Sequence, residues 1–216
     1  MNNWQLSFQS PVDLTDHLRK PYIMYDNREK SITKIVFDEE ANLLWAGDTY
    51  GRVSSYDPSY SLYTRHTAHL GAVPVADMLS HKSGILSLGP DSLNFANRRG
   101  VTQLNLTSAD IAQLCDMKSM AYSSNVQNHV YCGGSNIASG IINIDLNKGC
   151  LASTVDYASK VKLMCSNNRI IAIGKQSGSV DLLDPSSNQL IRSFAGHSSV
   201  ITGMDSVDYT LVTVGK

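Results

Sequence analysis

From about residue 31 onward the apolar positions arrive in short runs, LLWAG at Leu43–Gly47, LNFAN at Leu93–Asn97, VYCGG at Val130–Gly134 and IIAIG at Ile170–Gly174. Each run is followed by a glycine-led phrase of alternating pattern: GRVSSYDP from Gly51, GVTQLNLT from Gly100, GIINIDLN from Gly140 and GSVDLLDP from Gly178. Runs this short, bounded by turn formers, predict strands. The glycine permits the positive φ of a tight hairpin, and the Asp57-Pro58 and Asp184-Pro185 pairs close the strand that follows. ITKIVFD from Ile32, VADMLSH from Val75, VKLMCSN from Val161 and VITGMDS from Val200 add a strand in front. SLYTRHTAH from Ser61 and LIRSFAGH from Leu190 add one behind.

The outer two of these glycines lie about 127 residues apart, in steps of roughly 49, 40 and 38, close to the period of a WD40-type repeat. Four short strands in about 40 residues make one propeller blade, whose apolar faces are covered only by its neighbours. We therefore expect an all-β, WD40-like β-propeller, with blades near 31–70, 71–115, 116–158 and 159–197 and a partial blade at 198–216. Residues 1–30 lack the phrase and read as a turn-rich lead, in which YIMYD at Tyr22–Asp26 is a candidate strand. TLVTVGK at Thr210–Lys216 repeats the apolar strand and then stops, so about four and a half blades are expected, an incomplete ring and a piece of a longer protein.

Composition narrows the function. With 18 basic and 19 acidic residues the net charge is −1, which supplies no field to gather nucleic acid or an anionic membrane. No apolar run approaches the length of a membrane helix, and the first twenty residues lack the pattern of a signal peptide; a soluble, intracellular protein is expected. Cys115, Cys132, Cys150 and Cys165 form no CxxC pair and read as reduced thiols. His129 and Cys132 are three apart in a strand, hence on opposite faces and unsuited to one metal. Asn105-Leu106-Thr107 matches the glycosylation pattern but reads as chance without a secretory signal.

Candidate chemistry is thin. Phe37-Asp38-Glu39-Glu40 could offer carboxylates to a divalent metal, but a charge run between strands reads first as a solvated turn. His66, His69 and His197 are conceivable general bases; the Gly196-His197 pair occupies a WD40-like position where histidine ties a loop to the strands, so a structural role is expected. Arg98-Arg99 and Lys160 with Lys162 could touch phosphates, although the net charge favours solvated turns. Asn94, Arg98 and Asn136 read as loop residues open to any partner. No nucleophile motif or phosphate-binding loop is present, so no catalytic, metal or cofactor residue is assigned.

MNNWQLSFQSPVDL at the start, FANRRGVTQLNLTS from Phe95, YCGGSN from Tyr131, KVKLMCSNN from Lys160, SGSVDLLDPSSN from Ser177 and the final TLVTVGK resemble the N-terminal propeller of the catalytic subunit of the yeast-type poly(A)-nuclease deadenylation complex. The resemblance spans the chain. It implies a seven-bladed WD40 propeller, a linker binding a pseudokinase-like regulatory subunit, an inactive ubiquitin-hydrolase-like domain and a C-terminal DEDD-type exonuclease. It further implies cytoplasmic 3′ to 5′ removal of messenger RNA poly(A) tails by a magnesium-dependent site beyond these residues, with poly(A)-binding protein and poly(A) RNA as further partners. For this stretch it implies scaffolding. The competing reading is a propeller from an unrelated trafficking or assembly complex with no RNA role.

Overall fold

The computed structural model describes residues 31–59, 61–122, 128–167, 169–207 and 210–215, so the lead segment with YIMYD lies outside the described residues. The first sheet joins β1 (Ile32–Asp38), β2 (Leu43–Asp48), β3 (Arg52–Tyr56) and β4 (Leu62–Thr67). The second joins β5 (Asp77–His81), β6 (Gly84–Leu88), β7 (Ser92–Asn97) and β8 (Thr102–Thr107). The third holds β9 (Met117–Tyr122), β10 (His129–Gly134), β11 (Ile141–Asp145) and β12 (Cys150–Val155), and the fourth β13 (Val161–Ser166), β14 (Ile171–Lys175), β15 (Ser179–Asp184) and β16 (Gln189–Ala195). A hairpin of β17 (Ile201–Val207) and β18 (Thr210–Gly215) follows. Every sheet is an antiparallel meander in chain order, the architecture of propeller blades.

The second blade corrects the sequence register. LNFAN belongs to the third strand of its sheet, β7, and GVTQLNLT forms the fourth, β8, whereas the corresponding phrases of the other three blades form third strands. The second strand, β6, is GILSL, which the repeat reading passes over. The reason lies in the turn that closes each third strand. Asp57 Oδ1 accepts the Ser59 and Ser61 amides, Asp145 Oδ1 those of Asn147 and Lys148, and Asp184 Oδ1 that of Ser186. In the second blade Asn97 does this work, its Oδ1 accepting the Arg99 and Val101 amides. An amide oxygen closes the Asx turn as a carboxylate does, so the repeat continues where the aspartate is missing.

Alternation along the strands builds the core between sheets rather than inside them. Leu43, Trp45 and Val53 of the first sheet pack with Val75, Met78 and Ile85 at the second. Leu86, Leu88 and Leu93 meet Met120, Val130 and Ile142 across the next seam. Tyr131 and Ile141 meet Met164, Ile171 and Leu183 across the third. The first strands of successive sheets, β1, β5, β9, β13 and β17, lie side by side, so they line the inside of the arc. The fourth strands form its rim, and every residue of β16 is exposed. At the two ends of the described arc Ile35 and Phe37 of β1, and Val212 and Val214 of β18, face outward uncovered.

Candidate functional site

A chain of polar contacts runs around the inside of the arc at one level of the first strands. Asp77 on β5 is buried, and its Oδ1 takes the Lys34 ammonium of β1 at 2.7 Å. Its Oδ2 accepts the Ser119 hydroxyl of β9 at 2.7 Å and the Met120 amide at 2.9 Å. Ser119 Oγ in turn accepts the Met164 amide of β13 at 2.9 Å. Lys34, Ser119 and Met164 thus link four blades through one buried carboxylate. None of these residues carried a motif in the sequence; the signal that existed was the polar interruption of otherwise apolar first strands.

The acidic run is not a wholly solvated turn. Asp38 is only 2% exposed. The Arg98 guanidinium reaches it from the β7–β8 turn with Nε at 2.8 Å from Oδ2 and Nη2 at 3.1 Å from Oδ1, while Nη2 also lies 2.9 Å from Glu40 Oε2. Burial pushes the Asp38 carboxyl upward, but the hydrogen bonds from Arg98 and the Ala41 amide outweigh it and hold Asp38 below the usual carboxylate range. Arg98 is held above its ordinary value by the same bonds. The turn of the second blade is thereby fastened to that of the first, which takes Arg98 out of the set of free loop cations.

The histidines at 69 and 197 are equivalent parts of two blades. The His69 amide bonds the Gly51 carbonyl and the His197 amide that of Gly178, each at 3.0 Å. Each ring then crosses to the next blade, where His69 Nδ1 meets Ser92 Oγ at 2.7 Å and His197 Nε2 meets Thr213 Oγ1 at 2.8 Å. Burial, reinforced by neighbouring His66, lowers the His69 pKa to about 4. The His66 ring is lowered too, chiefly by burial, with Asn94 opposing. The His69 ring, neutral across the physiological range, and the His197 ring each span two blades and act as dowels. The structural reading of the Gly196-His197 position extends to Ala68-His69, where the small residue before histidine is alanine.

The remaining candidates separate. Asn94 is a buried strand residue on β7, not a loop residue, and its Nδ2 faces Thr102 and Asn105 at 3.4 Å. Asn136 caps a single 3-10 turn, Ile137–Ser139. The Arg99 carbonyl accepts the Thr64 hydroxyl, while its exposed side chain joins none of the ion pairs among the described residues. Lys160 and Lys162 are exposed, at the start of the fourth blade. Cys132 is buried in the core with its thiol pushed up by burial, and His129 bonds Asn143 at 2.9 Å. All four cysteines are free thiols. Among the described residues no three His, Cys, Asp or Glu side chains gather in a metal-holding group.

The arrangement is one of blades tied to blades. A family model described as PAN2 N-terminal matches residues 29–215. The chain belongs to the PAN2 N-terminal family. Relatives named PAN2-PAN3 deadenylation complex catalytic subunit PAN2 are 66% identical in Eremothecium gossypii and 68% in Kluyveromyces lactis, each over all 216 residues, and 60% in Saccharomyces cerevisiae over 217 aligned positions. The match covers 100% of this chain but only 19–20% of those relatives, so the chain spans about a fifth of their length. The Neurospora crassa Pan2 WD40 domain superposes with a TM-score of 0.77 at 23% identity, over 84% of this chain and 55% of that one. The WD40 propeller fold expected from the repeat is thus the fold of this PAN2 N-terminal region, and these relatives lend no support to an unrelated trafficking scaffold.

Proposed function

We propose that this chain is the non-catalytic scaffold arm of a poly(A)-specific 3′–5′ exoribonuclease subunit that shortens messenger RNA tails in the cytoplasm. Carrying the reading is identity of 60–68% through the whole chain with subunits named as catalytic in a deadenylation complex. Hydrolysis, and the magnesium it uses, belong to residues outside this stretch. Blade seams locked by Asp77, Arg98 and His69 make a rigid body that presents loops, which is what positioning a regulatory subunit such as PAN3 and a protein-coated poly(A) tail demands. Following tail length over time for the isolated chain, the full-length protein and a full-length protein lacking this region tests it. The isolated chain with magnesium leaves poly(A) intact. The full-length protein shortens the tail, and removing the propeller region changes the rate on tails coated with poly(A)-binding protein more than on naked poly(A). Nuclease activity in the isolated chain, or equal effects of the deletion on both substrates, overturns the proposal.

A further inference from the structure

We infer that the seam between the third and fourth blades docks an extended acidic segment of a partner protein, one that carries both carboxylate and aliphatic side chains. Two shallow depressions adjoin along this seam and share Lys175. The first, on the loop side, has Ile137 of the 3-10 turn beside Lys160 and Lys175. The second, toward the rim, sets Leu190 and Ile191 beside Arg192. Cations and aliphatic groups therefore stand together in two linings that meet at Lys175, forming one strip.

The strip belongs to the seam itself and not to an uncovered end of the arc. Tyr157 from the third blade donates its hydroxyl to Asp181 of β15 at 2.7 Å, and Asp181 pairs with Ser193 across the β15–β16 ladder. Asp181 is the one carboxylate in either lining, and it is committed: its Oδ1 holds Lys175 Nζ at 2.9 Å. Although burial pushes that carboxyl upward, hydrogen bonds from Ser193, Lys175 and Tyr157 prevail and keep it ionised. Lys175 is thus a fixed ammonium in the middle of the strip, with donors beyond the one Asp181 takes.

Lys160 is exposed and joins none of the ion pairs among the described residues. Ile137, at the surface in a capped and hence ordered turn, is 46% exposed. With the Lys175–Asp181 pair balanced, Lys160 and Arg192 leave the strip locally basic on a chain of net charge −1. Local complementarity without a global field suits a short acidic peptide better than a long polyanion, whose binding rests on many distributed phosphate contacts. The aliphatic groups that share the linings with the cations give such a peptide apolar contacts that a phosphate backbone cannot use.

The test uses the full-length protein and a fluorescein-labelled peptide of alternating glutamate and leucine, read by anisotropy beside its glutamine counterpart and a labelled oligoadenylate. The acidic peptide binds the wild type at least about fivefold more tightly than the glutamine peptide. Lys160→Glu and Ile137→Asp each abolish that preference without moving the melting temperature, and Lys160→Arg keeps it. Equal binding of the two peptides, or a preference that survives both substitutions, overturns the inference. So does oligoadenylate binding that depends on Lys160 while the acidic peptide fails to bind. Because none of these readouts involves tail shortening, the deadenylation reading stands or falls separately.

Discussion

Gly178 shows how a single position can carry a turn. Its φ of 91° lies in the left-handed region, and a Cβ there would meet the carbonyl oxygens of Ser199 and His197. Both are backbone atoms, which cannot swing aside as a side chain would. Gly178→Ala is therefore expected to cost about 2 kcal/mol or more, read as a lowered urea midpoint; an unchanged midpoint contradicts the turn assignment. His69 and Asp38 make a prediction about pH. His69 titrates near 4 when folded against an ordinary 6.5, so the unfolded chain takes up its proton first and stability falls as pH drops from about 6.5 toward 4. Asp38, held below its ordinary 3.8, contributes stability present above that value and lost as pH falls further. A pH series of thermal melts should show the first decline reduced in His69→Phe, with the remainder coming from His66 and His81, which burial also lowers, and the last decline diminished in Asp38→Asn at the cost of a lower melting temperature throughout.

At the scale of the strand, the first strands do more than pair with the second. Asp77, Ser119 and Lys34 replace part of the apolar packing between blades with directed bonds, which fixes how far each blade is rotated against the next. Removing Asp77 leaves the buried Ser119 hydroxyl and Met120 amide without their acceptor, and an unsatisfied buried donor is expensive. Asp77→Ala should then destabilise by about 3 kcal/mol, and Lys34→Met by less, since that ammonium is partly exposed while the Ser119 and Met120 donors remain. Equal losses in the two variants, measured by chemical denaturation, would mean that the ammonium and not the hydrogen bonds supports Asp77.

For the molecule as a whole, the two ends of the arc matter most. Ile35 and Phe37 at one end and Val212 and Val214 at the other are exposed apolar residues on sheet faces, while the equivalent faces at every internal seam are covered. Uncovered apolar faces and free strand edges favour association. The isolated 216-residue chain should self-associate with rising concentration in sedimentation velocity, and Phe37→Lys together with Val212→Lys should reduce this. A monomer at every concentration would show that the end faces are covered by some other part of the chain.

The sequence by itself determined the blade count and most of the strands, though not β6, β9 or β12, because alternation, glycine turns and Asx-closed strand ends are local properties readable over six or eight residues. It even held the clue to its own misreading: Asn97 closes a turn as Asp57 and Asp184 do, and counting amide oxygens with carboxylates would have put the second blade in register. What only the tertiary structure decided is the partner of each charge. Asp38 and Arg98 stand in different blades, as do Asp77 and Ser119, Tyr157 and Asp181, and His69 and Ser92. An acidic run therefore reads as solvated until the neighbouring sheet is set against it, just as Asn94 reads as a loop residue until β7 is paired with β8. Pairing across a seam depends on the rotation between sheets, a quantity that no local pattern encodes.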